Sequence, residues 1–282
     1  MMFSRLIDDI NAAGLCVHGI EIRHGGKVIE RHFFHEDKPY PVYSATKSVT
    51  SAAVMAAADE GRLSLDDKLY IYLDTQYMPL MKDEFKALSF RDFMTMTAAP
   101  YPFRPEGDDW IKSILALDVD YSDRAHHYSN IPAYLVGTAC ENAVGEPLMG
   151  YIMRKLFAPM GIPEPEYRRS PEGHFYGATG MTLSLENFGR LGQFFADKGC
   201  YDGRQLISCA LIEDATTEKV RTKSGGYGYF FPTDSLGFCI RGKWGQRSMV
   251  CTEKNLVVTC LADLPERCDE LYGLLDNYIN NA

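Results

Sequence analysis

A serine and a lysine stand three positions apart in Ser44-Ala45-Thr46-Lys47, at the start of an alanine-rich stretch that continues to Gly61. On a helix, positions three apart lie on one face, so the Lys47 amine can reach the Ser44 hydroxyl. A serine hydroxyl becomes an effective nucleophile only when a neighbouring base takes its proton. Burial lowers the pKa of a lysine and would make Lys47 such a base. The S-x-x-K spacing alone is loose enough to occur by chance, so it needs further support.

A second group of reactive side chains is Tyr128-Ser129-Asn130. The Tyr128 phenol could relay a proton, and the Asn130 amide could bond Lys47 or a substrate carbonyl. The same residues are also typical of a loop that ends at a helix, with Ser129 or Asn130 as the cap. Both interpretations stay open on the motif alone.

The third element is Lys243-Trp244-Gly245-Gln246, which lies between two apolar β-runs. A glycine in this setting lets a ligand approach the backbone closely. It is equally compatible with a simple β-bulge.

The elements that must position these residues follow from periodicity. Strand-like patterns near the N-terminus form a hairpin around His24-Gly25-Gly26, and others return after Gly225, whereas the middle of the chain is helical or loop-like. We therefore predict an α/β (α+β) fold: an antiparallel sheet from both chain ends, flanked by helices, with an all-α inserted lobe. The sheet domain takes residues 1–62 and 176–282, and the helical insertion takes residues 63–175. A functional site is expected in the cleft between them.

Strands are predicted at residues 15–23, 27–34, 227–231, 238–240, 247–252 and 256–261. The principal helices are predicted at residues 3–12, 44–61, 89–96, 110–116, 131–144, 147–157, 184–198 and 265–280.

Taken together, S-x-x-K, Y-x-N and K-x-G in this order resemble the serine β-lactamase and penicillin-binding protein superfamily, whose motifs form a set. The tyrosine version is similar to the class C β-lactamase and related esterase branch. Residues 61–67 and 156–162 also look like segments of that family. The run Gly242-Lys243-Trp244-Gly245-Gln246 is closer to the G-x-x-G-Q form of nylon-oligomer hydrolases and some esterases.

The resemblance implies a serine hydrolase that forms an acyl-enzyme and hydrolyses a small ester or amide. It implies a catalytic group of Ser44 (nucleophile), Lys47 (proton acceptor) and Tyr128 (general base, then acid). The substrate-binding and orienting residues would be Asn130, Lys243, Trp244 and Gly245. The oxyanion hole would be the backbone N–H groups of Ser44 and Gln246.

Two departures bear on the substrate. Trp244 replaces the small hydroxyl residue with which β-lactamases seat a substrate carboxylate, and it would narrow the pocket. The family's His-Thr-Ser-Gly run is Met96-Thr97-Ala98-Ala99 here. The alternatives that stay open are a β-lactamase, a D-alanyl-D-alanine carboxypeptidase, and a non-catalytic ligand-binding or sensor protein with the same fold.

Composition sets the remaining limits. The chain has 282 residues, 46% hydrophobic, and a formal net charge of -9, which argues against a nucleic-acid partner. We see neither a signal peptide nor a membrane span, and predict a cytoplasmic protein whose partner is a small-molecule substrate. The eight cysteines lack a C-x-x-C pair, which favours free thiols. We expect no metal site and no cofactor; oligomeric state does not follow from the sequence.

Overall fold

The centre of the protein is an eight-stranded antiparallel sheet, and the computed structural model describes residues 2–282. The strands of this sheet are β1 (Val17–His24), β2 (Lys27–Phe33), β7 (Val220–Thr222), β8 (Gly225–Tyr227), β9 (Pro232–Asp234), β10 (Gly237–Arg241), β11 (Arg247–Cys251) and β12 (Leu256–Ala262). Their spatial order is β2-β1-β12-β11-β10-β9-β8-β7, so both ends of the chain build one sheet, as predicted.

Two short strand pairs lie outside this sheet. They are β3 (Tyr40–Pro41) with β4 (Thr182–Leu183), and β5 (Cys200–Tyr201) with β6 (Arg204–Gln205). The first pair matters for the site, because β3 leads directly to the residues around Ser44.

The helices occupy both faces of the sheet and the middle of the chain. They are α1 (Met2–Ala12), α2 (Thr46–Asp59), α3 (Asp83–Lys86), α4 (Phe90–Met94), α5 (Trp110–Leu115), α6 (Ile131–Val144), α7 (Leu148–Ile152), α8 (Leu185–Ala196), α9 (Cys209–Thr216) and α10 (Cys268–Asn281). Helices α1 and α10 pack against each other on one face of the sheet, and α8 covers the other.

The strands show why both faces are covered. Along β12, Val257 and Leu261 join the core beneath α8, whereas Val258 and Cys260 join the core beneath α1 and α10. Successive side chains of a strand point to opposite faces, so a strand that is apolar throughout needs helices on both sides.

In helix α2 every residue from Thr46 to Ala57 is buried, on all sides of the helix. It packs against α6, α7 and α9, and its alanines allow this close approach from several sides. Any polar group on α2 is thereby removed from water. Lys47 is such a group.

One predicted strand is wrong except at its first residue, because β8 spans Gly225–Tyr227. The sequence predicts a strand over residues 227–231, but β8 ends at Tyr227 and Phe230 has a positive φ of 66°. The backbone N–H of Tyr229 donates to the carbonyl of Ala215 at 2.8 Å, which takes the chain out of the sheet. The turn then brings the Phe230 carbonyl to α2, where it accepts a hydrogen bond from Ser48 Oγ at 3.0 Å.

All eight cysteines are free, as predicted, although Cys16 and Cys209 are exposed. Among the helices of residues 2–282, none is long and apolar enough to cross a membrane.

Candidate active site

Ser44 lies in a single 3-10 turn, Tyr43–Ala45, that leads into α2. Tyr43 has a positive φ of 48°, so the chain bends sharply just before the serine. Lys47 Nζ lies 3.2 Å from Ser44 Oγ, 2.6 Å from Asn130 Oδ1 and 2.9 Å from the carbonyl oxygen of Ala178. The fold therefore brings together one side chain from α2, one from the start of α6 and one backbone group from the later chain.

The environment of Lys47 determines its protonation. The side chain is only 1% exposed, in the apolar surroundings of α2. Burial lowers the pKa of Lys47 from 10.5 to about 7, because a charged ammonium is poorly solvated there. A substantial fraction of the lysine is therefore neutral at physiological pH and can accept a proton.

Asn130 is fixed by the loop that precedes α6. Its backbone N–H donates to the Phe103 carbonyl at 2.8 Å, and the neighbouring Ser129 Oγ donates to the Pro102 carbonyl at 2.6 Å. Ser129 Oγ also accepts a hydrogen bond from the Ile131 N–H at 3.1 Å, at the start of the helix. Asn130 is the N-cap residue of α6, but its side chain makes no capping hydrogen bond and bonds Lys47 instead, while Ser129 Oγ satisfies the first N–H of the helix.

Tyr128 stands beside the serine–lysine pair. Lys47 Nζ is 4.9 Å from the centroid of the Tyr128 ring. Desolvation in the cleft raises the pKa of Tyr128, while its hydrogen bond with Ser44 and the positive charge of Arg241 act in the opposite direction. Because the ring is still 42% exposed, Tyr128 also presents a surface to an incoming molecule.

Arg241 is a site residue that the sequence analysis did not single out. It is the last residue of β10 and lines the same cavity as Ser44 and Tyr128. Its charge acts on the phenols of Tyr128 and Tyr227, lowering the pKa of each against the larger effect of burial. In the sequence, only its position directly before Gly242 could have indicated a place at the site, because Arg241 belongs to none of the three motifs.

Lys243 lies against aromatic rings. Its Nζ is 3.8 Å from the centroid of the Trp244 ring and 4.7 Å from that of Tyr43, distances typical of cation–π contacts. Trp244 has a φ of 66° and packs edge-on against Tyr43 at 5.0 Å. Lys243 lines the same cavity as Tyr128 and Arg241.

The glycines of this turn are required by close contacts. A Cβ on Gly242 would meet the Val42 carbonyl oxygen at 2.1 Å, and one on Gly245, whose φ is +96°, would meet Ala262 Cβ at 2.8 Å. Gly242 therefore lets the β10–β11 connection lie directly against the chain that leads into Ser44.

The Gln246 side chain is directed toward β12. It is buried, and its Oε1 accepts a hydrogen bond from the Ala262 N–H at 3.2 Å. Gly242 and Lys243 border the cavity, whereas Gln246, Trp244 and Gly245 are not among the described residues that line it. The fold thus brings Ser44, Lys47, Tyr128 and Asn130 together, and the Gln246 backbone N–H stays a predicted oxyanion donor.

A cavity of about 1190 Å³ opens above Ser44 and Lys47. One wall is the extension of the sheet by β7, β8 and β9, and another is the loop that carries His126 and Tyr128. Its charged lining is mixed: Arg221, Lys223, Arg241, Lys243, Arg247, Asp234, Asp269 and Asp276. A space of this size accommodates a small organic molecule or a short peptide.

An antiparallel sheet flanked by helices, with a serine–lysine pair at a cleft beside it, defines the β-lactamase/transpeptidase-like class of fold. The family model described as "Beta-lactamase" matches residues 3–270, and the chain belongs to the beta-lactamase family. The resemblance inferred from the three motifs is thereby confirmed. No curated protein matches the chain in a sequence search.

Solved structures show the same fold at low sequence identity. A Bacteroides dorei protein whose structure is named as a beta-lactamase is 16% identical, with a TM-score of 0.80 over 99% of this chain and 98% of that one. A Bacillus anthracis protein named as a 6-aminohexanoate-dimer hydrolase is 17% identical, with a TM-score of 0.76 over 99% and 80%. A penicillin-binding protein homologue from Caulobacter crescentus is 15% identical, with a TM-score of 0.78 over 98% and 96%. The family supports a hydrolase, and these solved structures show the shared fold.

Proposed function

We propose that the protein is a class C-like serine hydrolase that forms an acyl-enzyme at Ser44 and hydrolyses a small ester or amide. The observation that carries the proposal is the 3.2 Å separation of Ser44 Oγ from the buried Lys47 Nζ. A nucleophile within hydrogen-bond reach of a base whose pKa is about 7 is the arrangement that covalent catalysis requires.

The partners of Lys47 support its role as the base. A neutral amine has two hydrogens and one lone pair, and the Asn130 Oδ1 and Ala178 carbonyl oxygens accept both hydrogens, at 2.6 and 2.9 Å. The lone pair is then left for the remaining neighbour, the Ser44 hydroxyl. Ser44 therefore donates to the neutral lysine, and this is the direction in which the proton must move during attack.

In the proposed reaction, the residues of the site, the substrate and water account for every bond and proton. Ser44 Oγ bonds to the substrate carbonyl carbon while Lys47 takes the hydroxyl proton. The bond to the leaving alcohol or amine breaks as Tyr128 donates a proton to it, and the Lys47 ammonium reprotonates the phenolate. A water then attacks the acyl-enzyme by the reverse sequence and releases the acid.

Arg241 has a supporting role in this scheme. A transient phenolate on Tyr128 is costly in a desolvated cleft, and a nearby guanidinium offsets part of that cost. The cation next to this phenol is therefore assigned to Arg241, and Lys243, held by Tyr43 and Trp244, is assigned to shaping the cleft.

The oxyanion hole needs two N–H donors that are free to bind the oxyanion. The Ser44 N–H is the first. For the second we keep the backbone N–H of Gln246, which donates to no carbonyl of the described residues. The Gly242 N–H is not available, since it donates to the Gln246 carbonyl at 2.8 Å.

Ser44 as the nucleophile is tested with a fluorophosphonate, which phosphonylates an activated serine with loss of fluoride, and intact-mass measurement. The wild type should gain one phosphonyl group, and Ser44→Ala should gain none. Ser224→Ala is the matched control, because Ser224 lines the same cavity but is exposed on the sheet extension. Equal labelling of wild type and Ser44→Ala would reject the proposal, and a wild type that no acylating probe modifies would favour the non-catalytic binding protein.

Turnover then separates the enzyme alternatives. Short p-nitrophenyl esters, small amides, a chromogenic cephalosporin and D-alanyl-D-alanine peptides are assayed side by side. Ester or amide hydrolysis with the cephalosporin and the peptides left intact supports our choice. Faster opening of the cephalosporin, or release of D-alanine, identifies a β-lactamase or a carboxypeptidase.

A further inference from the structure

A cluster of potential metal ligands lies at one corner of the sheet, apart from the cleft. It consists of Cys16, His18 and His35, and each offers one ligand atom, all within 4.8 Å of one another. Cys16 and His35 are exposed and His18 is half-buried, so an ion from solvent can reach the cluster.

The sheet register holds these residues together. Cys16 directly precedes β1, His18 belongs to β1, and His35 follows β2. The His18 carbonyl accepts hydrogen bonds from the Phe34 N–H at 3.0 Å and the His35 N–H at 3.3 Å. The cluster therefore depends on backbone pairing as well as on side-chain rotamers.

The His18 ring is the best-fixed member. It stacks on Tyr40 with ring centroids 3.9 Å apart and an interplanar angle of 8°, and it meets the His35 ring edge-on at 5.6 Å. Its Nδ1 is buried and has no hydrogen-bond partner among the described residues. A buried imidazole nitrogen without a partner carries a free-energy cost, so we take Nδ1 as the ligand atom of His18, where coordination to a cation would remove that cost.

We propose that Cys16, His18 and His35 form a site for one Zn²⁺ ion, separate from the hydrolase cleft. One thiolate and two imidazoles are ligands that zinc prefers. Three protein ligands leave the fourth tetrahedral position to water. Asp263, whose backbone N–H donates to the Cys16 carbonyl at 2.9 Å, adds negative charge at this corner.

The geometry requires a small adjustment. With Zn–S and Zn–N bonds of about 2.3 and 2.0 Å, ligand atoms of a tetrahedral site lie about 3.3–3.6 Å apart. The cluster must contract by roughly 1 Å, and the exposed Cys16 and His35 side chains can rotate toward the fixed His18. On binding, the Cys16 sulfur forms the bond to zinc and its proton passes to solvent, with no change of oxidation state.

No metal site is expected from the sequence, where the cysteines lack a C-x-x-C pair. That spacing does not detect the present cluster. Cys16 and His18 are alternate positions at the start of a strand, and His35 is brought beside them only by β1–β2 pairing.

The site is tested on the full-length protein after treatment with a chelator, by calorimetric titration with ZnCl2. The wild type should bind one equivalent. Cys16→Ser and His18→Gln should each weaken binding by at least about tenfold, the lower end of what loss of even a supporting group costs a zinc site. The matched control is Cys209→Ser, an exposed cysteine that should leave binding unchanged.

Titration with CoCl2 provides a second readout. The wild type should develop a thiolate-to-cobalt charge-transfer band that is absent in Cys16→Ser and retained in Ser44→Ala, which separates this site from the proposed nucleophile. Equal zinc affinity of wild type and Cys16→Ser, or cobalt binding without that band, would overturn the proposal. Since Cys16 is exposed, its variant keeps the test valid if His18→Gln misfolds.

Discussion

Replacing Asn130 with aspartate tests the proposed base most directly. Burial lowers the pKa of Lys47 from 10.5 to about 7, which corresponds to a desolvation cost of about 5 kcal/mol. The substitution is nearly isosteric, and it places a carboxylate where Oδ1 now lies, 2.6 Å from Nζ. At an effective dielectric constant of about 20, an ion pair at contact distance contributes about 4 kcal/mol, so the Lys47 pKa should rise by roughly 3 units, to about 10.

The assay is the rate at which a fluorophosphonate phosphonylates Ser44 with loss of fluoride, a measure of how readily the serine attacks, followed by intact mass from pH 5.5 to 9.5. In the wild type this rate should rise with pH through a midpoint near 7, as Lys47 loses its proton. In Asn130→Asp the midpoint should lie beyond about pH 9, and at pH 7.5 the rate should fall by about 100-fold.

Asn142→Asp is the control, because Asn142 lies on the same helix but is exposed. It should leave both midpoint and rate unchanged. If Asn130→Asp is folded and keeps the wild-type midpoint, Lys47 is not the group whose deprotonation limits acylation, and the reasoning is refuted.

Further outcomes follow from the same contacts. Because the unfolded chain keeps the lysine protonated up to about pH 10.5, the wild type should gain stability relative to Lys47→Met by about 1.4 kcal/mol per pH unit from pH 7.5 to 9.5, measured by urea unfolding. Arg241→Gln should raise the pKa of Tyr128 and lower ester turnover by about tenfold, with the pH profile altered on its alkaline side; an unchanged profile would count against this role. Gly242→Ala should destabilise the fold by more than about 2 kcal/mol and abolish acylation, because its Cβ would meet a backbone oxygen at 2.1 Å. A Cβ at Gly273 on α10 would meet nothing within 4 Å. Gly273→Ala should therefore stabilise the fold through helix propensity, by up to about 1 kcal/mol, and raise the melting temperature slightly.

The sequence predicts the fold well wherever pattern and local chemistry agree. The β1–β2 hairpin turns at Gly25 and Gly26, both with positive φ, and the buried helix α2 ends before Gly61, also with positive φ. These glycines can be read from the sequence, and each is explained by the ease with which a residue without Cβ adopts a positive φ. The antiparallel sheet built from both ends is confirmed, while the division into two domains stays a prediction.

The site is predicted less completely, because its details depend on how separate segments meet. The spacing from Ser44 to Lys47 is local, so helical geometry alone suggests their contact. Arg241 is different, because its place at the cleft depends on how the end of β10 meets the segment that carries Tyr128, beside a turn in which Trp244 adopts a left-handed conformation. A tryptophan at positive φ is not a pattern that composition or periodicity indicates.

The short strands β7, β8 and β9 bear on how the range of molecules that bind in the cavity can change during evolution. They carry one wall of the cavity, including Arg221 and Lys223, yet none of the proposed reacting groups. Residues in the β7–β8 hairpin can therefore be exchanged, and the range of accepted molecules altered, while the acid–base machinery on α2 and before α6 is preserved. Selection could act on recognition and on chemistry independently, because different stretches of the chain encode them.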